Sequence, residues 1–285
     1  MAEGAAMAAA AEEPAEKAGM RSAWARIAET YDEFWTGRTA RYTALGLDRL
    51  APEPGWSGLD VACGPGATAA ALAERLPDGS TLGIDFAPAM IERARARFGG
   101  RPGLSFAEDD AERLSLPDAA FECVTSSFGL MYCYDARAAL GHMARVLRPG
   151  GRLMLTVWGR AAKVWWMPII ELVESRAAYY SAVCPMMFFY GLPGVLARMV
   201  GEVGLELLHE ERTEEPMRFD SADQAVDAAV FGGPLAGLYA NRLDEGQRAE
   251  VREALMSHLA ATGRHEDGAF LAPGEVAVAV ARRPG

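Results

Sequence analysis

The stretch LDVACGPGATAAAL, residues 59–72, decides the fold, because an apolar run gives way to two glycines and then to an alanine-rich segment. The first residues predict a buried strand and the last ones a helix, so Gly64 and Gly66 fall in the turn between them. Glycine there lets a ligand lie directly against backbone N–H groups, and the amino end of a helix attracts an anion. The stretch predicts a cofactor-binding loop, with a plain strand-to-helix turn as the alternative.

The loop by itself fits two kinds of cofactor. A nicotinamide dinucleotide carries a pyrophosphate and an adenosyl sulfonium carries an amino-acid carboxylate, and either anion suits the amino end of a helix. Residues 64–69, GPGATA, also satisfy G-x-G-x-x-A, the dinucleotide fingerprint. The choice between the two cofactors therefore depends on residues outside the loop.

Short apolar runs alternate with helical patterns on the carboxyl side of the loop. The runs that predict strands are TLGID (81–85), LSFAED (104–109), FECVTSSF (121–128) and RLMLTVW (152–158). This alternation indicates a parallel sheet with right-handed crossovers and helices on its faces, which is an α/β fold. The closing run EVAVAVARR, residues 275–283, predicts one more strand.

The chain divides into a tail and one domain that carries two inserted segments. Residues 1–20 predict a disordered tail, and order is expected from Arg21 onward, so the domain spans residues 21–285. Residues 160–200 are rich in aromatic and methionine residues and are divided by prolines, which predicts an inserted helical lid. A helical pattern at residues 221–261 predicts a second insertion.

The composition narrows the partners and the compartment. The formal net charge is −11 and no Lys/Arg cluster occurs, which argues against a nucleic-acid or anionic-membrane partner. No segment has the pattern of a signal peptide or of a membrane span. The four cysteines show no CxxC pair and no metal-ligand spacing, which indicates no metal site and reduced thiols in the cytoplasm.

Two acidic residues at predicted strand ends favour the adenosyl ligand. Asp85 ends the second strand, where a carboxylate can accept both hydroxyls of a ribose, a group that both cofactors contain. Asp110 follows the third strand, where it can accept a hydrogen bond from an adenine amino group. A ligand held in this way is bound entirely by the first half of the sheet.

Four stretches in this order resemble the class I S-adenosylmethionine-dependent methyltransferases, and most of all their ubiquinone/menaquinone-biosynthesis-like small-molecule branch. The stretches are LDVACGPG (59–66), GIDFAPAMIERAR (83–95), DDAERLSLPDAAFECV (109–124) and RVLRPGGRLMLTVWG (145–159). The resemblance implies a Rossmann-like, seven-stranded, mostly parallel sheet whose last strand is antiparallel. It also implies S-adenosyl-L-methionine as the cofactor and a small molecule as the methyl acceptor.

The resemblance implies a cofactor site, residue by residue. Gly64 and Gly66 would lie against the methionine part of the cofactor, Asp60 would support the loop and the cofactor amino group, and Asp85 would bind the ribose hydroxyls. The implied contacts to the rest of the cofactor are Tyr31 in a closing N-terminal helix, Phe86 and Met90 on the adenine, Asp110 at its amino group, the Ala111 N–H at a ring nitrogen, and Ser127 at the methionine moiety. Relatives often carry glycine in place of Asp109, so both Asp109 and Asp110 remain candidates for the adenine.

The reaction itself requires little beyond positioning. A sulfonium already carries a good leaving group, and well-oriented reactants gain about 7–11 kcal/mol. A base is needed only for a poorly acidic hydroxyl or a protonated amine. The sequence leaves the catalytic residue unknown; His209, after the presumed sixth strand, is a candidate base, although histidines also serve structural roles.

The aromatic block within residues 165–190 predicts where the acceptor binds. Trp166 and Tyr190, among others there, are typical of an apolar pocket for an aromatic or prenyl-like acceptor, which favours C- or O-methylation over methylation of an amine. The same composition is also typical of a lid core or of a homodimer interface. Two alternatives stay open: a nicotinamide-dependent oxidoreductase and a non-catalytic cofactor-binding protein of the same fold.

Overall fold

A seven-stranded sheet forms the centre of the protein in the computed structural model, which describes residues 14–179 and 187–285. Its strands are β1 Ser57–Val61, β2 Ser80–Asp85, β3 Leu104–Glu108, β4 Phe121–Ser127, β5 Leu147–Trp158, β6 Glu206–Glu214 and β10 Glu275–Arg282. Their spatial order is β3-β2-β1-β4-β5-β10-β6. Strands β1 to β5 are parallel, and β10 is antiparallel to both of its neighbours. The predicted α/β class with a mostly parallel sheet is confirmed.

Helices pack on both faces of this sheet. They are α1 Ala15–Tyr31, α2 Gly37–Leu50, α3 Ala67–Arg75, α4 Pro88–Phe98, α5 Ala136–Val146, α6 Pro168–Ala177, α7 Val195–Glu202, α8 Ala222–Phe231, α9 Ala236–Arg242 and α10 Glu245–Thr262. Met154 of β5 packs against α2 and α3, whereas its neighbours Leu153 and Leu155 join the larger core cluster. Because side chains alternate along a strand, these neighbours face opposite sides of the sheet.

The N-terminal helix begins earlier than predicted. Helix α1 starts at Ala15, six residues before Arg21, so residues 15–20 belong to the folded part rather than to a disordered tail. The extension is stable because Lys17 is buried on the same helix face as Trp24 and Ile27. A π-helical segment, Asp32–Thr36, then joins α1 to α2. Residues 1–13 lie outside the described residues.

A small second sheet, which the sequence analysis did not predict, lies beside the C-terminal helices. Its strands, β7 Met217–Phe219, β8 Arg264–Glu266 and β9 Ala269–Ala272, are ordered β7-β9-β8. The segment 221–261 consists of α8, α9 and most of α10, and the segment 160–200 contains α6 and the start of α7. Their roles as insertion and lid stay predictions. In residues 14–179 and 187–285, no helix is both long and apolar enough to cross a membrane.

A buried carboxylate fixes the start of β10 to the segment 160–200. Glu275 is fully buried, and its Oε1 accepts hydrogen bonds from the backbone N–H of Arg160 at 2.7 Å and from Nε of the same residue at 2.9 Å. Gly159 leaves the necessary space, because a Cβ at that position would lie 2.5 Å from Glu275 Oε1. This contact therefore anchors the segment that leaves the end of β5.

We expect Glu275→Ala to lower the free energy of unfolding by about 1–3 kcal/mol, because the partly buried Arg160 N–H loses its acceptor. Urea unfolding followed by circular dichroism measures this change. Glu214→Ala is the matched control, since Glu214 is an exposed carboxylate 3.4 Å from the Arg160 guanidinium. Removing it should change the unfolding free energy by less than about 0.5 kcal/mol. Equal effects of the two variants would contradict the anchoring role of Glu275.

Candidate active site

A cavity of about 910 Å³, including its open mouth, lies at the carboxyl ends of β1 and β4. From β1 the strand order runs through β2 to β3 at one edge of the sheet, and from β4 it runs through β5 toward the opposite edge. The cavity thus occupies the point at which the strand order reverses, where open α/β sheets bind ligands. Eight of the residues predicted to bind the cofactor line it: Tyr31, Gly64, Asp85, Phe86, Met90, Asp110, Ala111 and Ser127.

Both strands that border the cavity end in a left-handed residue. Ala62 follows β1 with φ of 57° and Phe128 follows β4 with φ of 60°, and both line the cavity. This backbone conformation costs a non-glycine residue about 1–2 kcal/mol, so the surrounding structure must enforce it. It turns the chain sharply away from the sheet and leaves space beyond the two strand ends.

The two glycines of the loop have different functions. Gly64 has φ of +53°, and a Cβ there would meet no atom within 4 Å, so this position is open toward a ligand. Gly66 does not line the cavity; it is the N-cap of α3, and a Cβ there would lie 2.8 Å from the Phe106 ring. The structure thus places Gly66 in the packing of α3, and its implied contact with the cofactor stays a prediction.

Asp85 is held from both sides by backbone N–H groups. Its Oδ2 accepts from Gly64 N and its Oδ1 from Ala87 N, each at 2.9 Å. Burial raises the pKa of this carboxyl to about 6, and the backbone hydrogen bonds only partly oppose that shift. Each oxygen retains lone pairs toward the cavity, which is the arrangement that two ribose hydroxyls require.

Asp60 lies below the loop and does not line the cavity. Its Oδ1 accepts from Thr125 Oγ1 at 2.7 Å, and its Oδ2 has no hydrogen-bond partner among the described residues. Burial, with a smaller contribution from the nearby Asp85, raises the pKa of this carboxyl to about 7. The position fits the implied support of the loop, and the implied contact of Asp60 with the cofactor amino group stays a prediction.

The two acids after β3 have separate partners, although both line the cavity. Asp109 binds its own loop: its Oδ2 accepts from Ser115 Oγ at 2.9 Å, and its Oδ1 from the Asp110 N–H at 2.8 Å. Asp110 instead accepts from the Glu112 N–H through Oδ1 and from Lys17 Nζ, at 2.6 Å, through Oδ2. Asp110 therefore faces α1, and its contact with adenine stays a prediction.

Lys17 is a functional candidate that the sequence analysis missed. Its Nζ lies 2.6 Å from Asp110 and 2.9 Å from Glu112 Oε2, and its side chain is 5% exposed. Desolvation lowers the pKa of Lys17, but the two carboxylates outweigh that effect and raise the pKa above its ordinary value. The sequence does contain a helical signal for Lys17. Spacings of three and four residues place it on one helix face with Met20, Trp24, Ile27 and Tyr31.

A second cavity of about 520 Å³, including space open to solvent, adjoins the first, and we call it the acceptor chamber. Its walls are aromatic and aliphatic and consist of Trp24, Tyr31, Trp35, Thr39, Phe128, Tyr132, Trp158, Trp166, Ile169, Ile170, Met187, Ala229 and residues 232–235. Five of these residues, Trp24, Tyr31, Thr39, Phe128 and Tyr132, line both cavities. The two cavities therefore share a wall.

Two further predicted site residues do not line either cavity, and their roles stay predictions. Tyr190 is buried but lines neither cavity; its ring packs against Phe189 with centroids 5.8 Å apart. His209 also lines neither cavity, because it lies on β6 opposite Val280, with Nε2 3.4 Å from Glu211 Oε1. Trp166 does line the acceptor chamber. Tyr180, Cys184 and Met186 of the aromatic block lie outside the described residues.

The fold and the cavity define an α/β protein that binds an adenosyl cofactor, and comparison with known proteins agrees. A family described as "Methyltransferase domain" matches residues 59–151. A demethylmenaquinone methyltransferase of Deinococcus radiodurans is 33% identical over 236 residues, which is 76% of this chain and 89% of that protein. A nocamycin O-methyltransferase of Saccharothrix syringae is 29% identical over 75% of this chain and 81% of its own length.

The fold is also shared with solved structures. A Haemonchus contortus phosphoethanolamine N-methyltransferase 2, in complex with phosphomonomethylethanolamine and S-adenosylhomocysteine, aligns with a TM-score of 0.57 at 16% identity, over 93% of this chain and 60% of that one. The chain belongs to the class I S-adenosylmethionine-dependent methyltransferases of the quinone-biosynthesis type. It is an enzyme that uses S-adenosylmethionine to methylate small molecules. The comparisons give the oxidoreductase alternative no support.

The residues of the first cavity fit this cofactor. Gly64 leaves open space at the loop, and Asp85 offers two acceptor oxygens. Thr36 also lines the cavity, and its buried Oγ1 has no hydrogen-bond partner among the described residues. We propose that Asp85 holds the ribose, that Phe86 and Met90 pack on the adenine, and that Ser127, whose Oγ is 3.0 Å from Thr43 Oγ1, borders the methionine part.

We expect the affinity for S-adenosylhomocysteine to rise with pH up to about pH 6 and then to level off. The pKa of Asp85 is raised to about 6 in the free protein, and donated ribose hydroxyls stabilise its carboxylate. Below that pH a proton must leave on binding, so the dissociation constant should increase up to about tenfold per pH unit. Calorimetry between pH 5 and pH 8 measures the dependence.

Asp85→Asn should weaken the binding of S-adenosylhomocysteine at pH 8 at least tenfold, because each charge-assisted hydrogen bond contributes roughly 1.5–3 kcal/mol. The same substitution should remove the pH dependence of binding. Asp60→Asn is the matched control, because Asp60 is an equally buried carboxyl that does not line the cavity. If the pH dependence of the affinity persists in folded Asp85→Asn and disappears in Asp60→Asn, then Asp60, and not Asp85, is the group that titrates.

Proposed function

We propose that the enzyme methylates a carbon or an oxygen of a neutral, apolar and aromatic acceptor bound in the acceptor chamber. The observation that carries this proposal is the shared wall, since five residues line both the cofactor cavity and the chamber. Because the same five side chains line both cavities, a ring in the chamber would lie next to the cofactor. Positioning of this kind is the main requirement for methyl transfer from a sulfonium.

The chemistry of the chamber supports a neutral ring. None of the described residues that line it is Asp, Glu, Lys, Arg or His. A protonated amine would therefore lose its hydration without gaining a counter-charge, which costs several kcal/mol. The names of the relatives agree in kind, since one is a demethylmenaquinone methyltransferase and another is a nocamycin O-methyltransferase.

Among the described residues, the walls of the acceptor chamber supply hydroxyl groups but no general base. Tyr31 lines both cavities, and burial, together with Asp85 and Asp32, raises the pKa of its phenol well above the ordinary value, so it remains a donor. When bound, S-adenosylmethionine supplies an electrophilic methyl group. The acceptor must therefore bring its own nucleophile, an acidic hydroxyl or a ring carbon activated by an oxygen. A new C–C or C–O bond forms as the C–S bond breaks, and the acceptor proton leaves to solvent.

We also propose that residues 160–200 close the chamber, as a lid would. That role is supported by four residues of this segment that line the chamber, Trp166, Ile169, Ile170 and Met187.

The compartment is proposed to be the cytoplasm, because the described cysteines, Cys63, Cys123 and Cys133, are free thiols. A homodimer stays a prediction.

The test uses labelled S-adenosylmethionine with a hydroquinone-type ring acceptor and with a primary amine of similar size. We expect transfer to the ring acceptor, and Trp166→Ala should lower its kcat/KM at least tenfold while the dissociation constant for S-adenosylhomocysteine changes less than twofold. Tyr190→Ala is the matched control, because both side chains are 7% exposed and only Trp166 lines the chamber. Wild-type kcat/KM in folded Trp166→Ala, or transfer to the amine alone, would contradict the proposal.

A further inference from the structure

Three buried tryptophans have indole N–H groups without an acceptor among the described residues. These are Trp35, Trp165 and Trp166, whose side chains are 6%, 1% and 7% exposed. Most buried N–H groups in proteins are hydrogen-bonded, and an unpaired one costs about 1–3 kcal/mol. Trp35 and Trp166 line the acceptor chamber, whereas Trp165 lines neither cavity. Two of the three unpaired donors therefore belong to the wall of the proposed binding site.

We propose that the indole N–H groups of Trp35 and Trp166 bind oxygen atoms of the ring ligand in the acceptor chamber. An indole nitrogen only donates, so its partner in the ligand must be an acceptor atom. The described lining has no charged side chain that could balance an anion, so the acceptor atoms belong to neutral carbonyl, hydroxyl or ether oxygens. This inference rests on the proposed function and specifies its ligand as an oxygenated ring.

The two donors are held in fixed positions by other rings. Trp35 and Trp166 pack edge to face with centroids 6.1 Å apart and planes at 74°. Both also pack against Trp158, with centroids at 6.1 Å and 5.6 Å. Trp35 belongs to the π-helical segment and Trp166 follows the end of β5, so the two residues line the chamber from separate parts of the chain. Donors fixed in this way lose little conformational entropy when a ligand binds.

A glycine keeps space beside one of the donors. A Cβ at Gly232 would lie 2.5 Å from Trp35 Nε1, and Gly232 itself lines the chamber. Its φ of −92° and ψ of −6° are accessible to any residue, so the backbone conformation does not require glycine here. The absent side chain thus makes room for the Trp35 indole, whose Nε1 is buried, and Gly232→Ala provides a way to disturb this donor while all tryptophans remain.

The experiment measures binding of a matched ligand pair to the full-length protein saturated with S-adenosylhomocysteine. The pair is 2,3-dimethyl-1,4-naphthoquinone, which has two carbonyl oxygens, and 2,3-dimethylnaphthalene, which has none. The readout is the ratio of their dissociation constants by calorimetry, because the hydrocarbon reports the loss of ring area when Trp is replaced by Phe. We expect Trp35→Phe and Trp166→Phe each to reduce the preference for the quinone roughly 2- to 12-fold, the equivalent of one hydrogen bond.

Trp165→Phe is the matched control and should leave the ratio unchanged, since it removes an equally unpaired N–H that lines neither cavity. Gly232→Ala should reproduce the loss seen in Trp35→Phe, which keeps the test valid if a tryptophan variant fails to fold. In the wild type, the indole proton resonances of Trp35 and Trp166, and not of Trp165, should move downfield when the quinone binds.

Three outcomes would overturn the proposal. An unchanged ratio in both chamber variants, while both ligands bind the wild type, removes the indole contacts and leaves the proposed function intact. An equal loss in Trp165→Phe assigns the effect to packing of the tryptophan cluster. Failure of both ligands to bind the wild type, combined with normal affinity for S-adenosylhomocysteine, contradicts the chamber as the acceptor site and therefore the proposed function as well.

Discussion

The pair of hydrogen bonds from Gly64 and Ala87 to the Asp85 carboxylate connects the sheet, the glycine loop and the cofactor cavity. Asp85 ends one strand, Gly64 follows the neighbouring strand, and Ala87 precedes α4. A single side chain thus fixes the relative position of the loop and of two strand ends. Desolvation opposes the charge of this carboxylate, so its ionised form depends on the N–H groups and on any hydroxyl that the ligand adds.

The acceptor chamber, unlike the cofactor cavity, has an uncharged lining. Its walls hold no ionisable side chain other than tyrosine among the described residues, and its rigidity comes from aromatic edges packed on aromatic faces. In the proposed assignment, one cavity would orient its ligand through a carboxylate and backbone dipoles, and the other through shape and two N–H groups. The separation suits a reaction in which one reactant is charged and polar and the other is an apolar ring.

Several features could be predicted from the sequence because their signals are local. The glycine loop, Asp85 and Asp110 lie at the ends of strands whose apolar runs can be recognised, so their meeting at one sheet edge followed from the fold class. Lys17 could have been found from its three-and-four spacing with Trp24 and Ile27, but the alanine-rich composition around it concealed that pattern.

Other features depend on pairings that a sequence does not encode locally. The position of His209 depends on which edge of β10 pairs with β6, and this pairing places it away from both cavities. The strands β7, β8 and β9 have three or four residues each, too few to show a periodicity. Trp35 lies in a π-helical turn, where the usual helical spacing does not predict the direction of a side chain.

Helix α1 connects the cofactor cavity with the acceptor chamber, because its residues line both. This helix packs on α4 and α8, contributes Trp24 and Tyr31 to both cavities, and carries the lysine that bridges Asp110 and Glu112. Helix α1 is therefore part of the lining of both cavities. A displacement of α1 would open the lining of both cavities at once and would break the ion pairs of Lys17 with Asp110 and Glu112. If the two cavities hold cofactor and acceptor as proposed, release of the methylated product and release of the spent cofactor would both be coupled to this one helix.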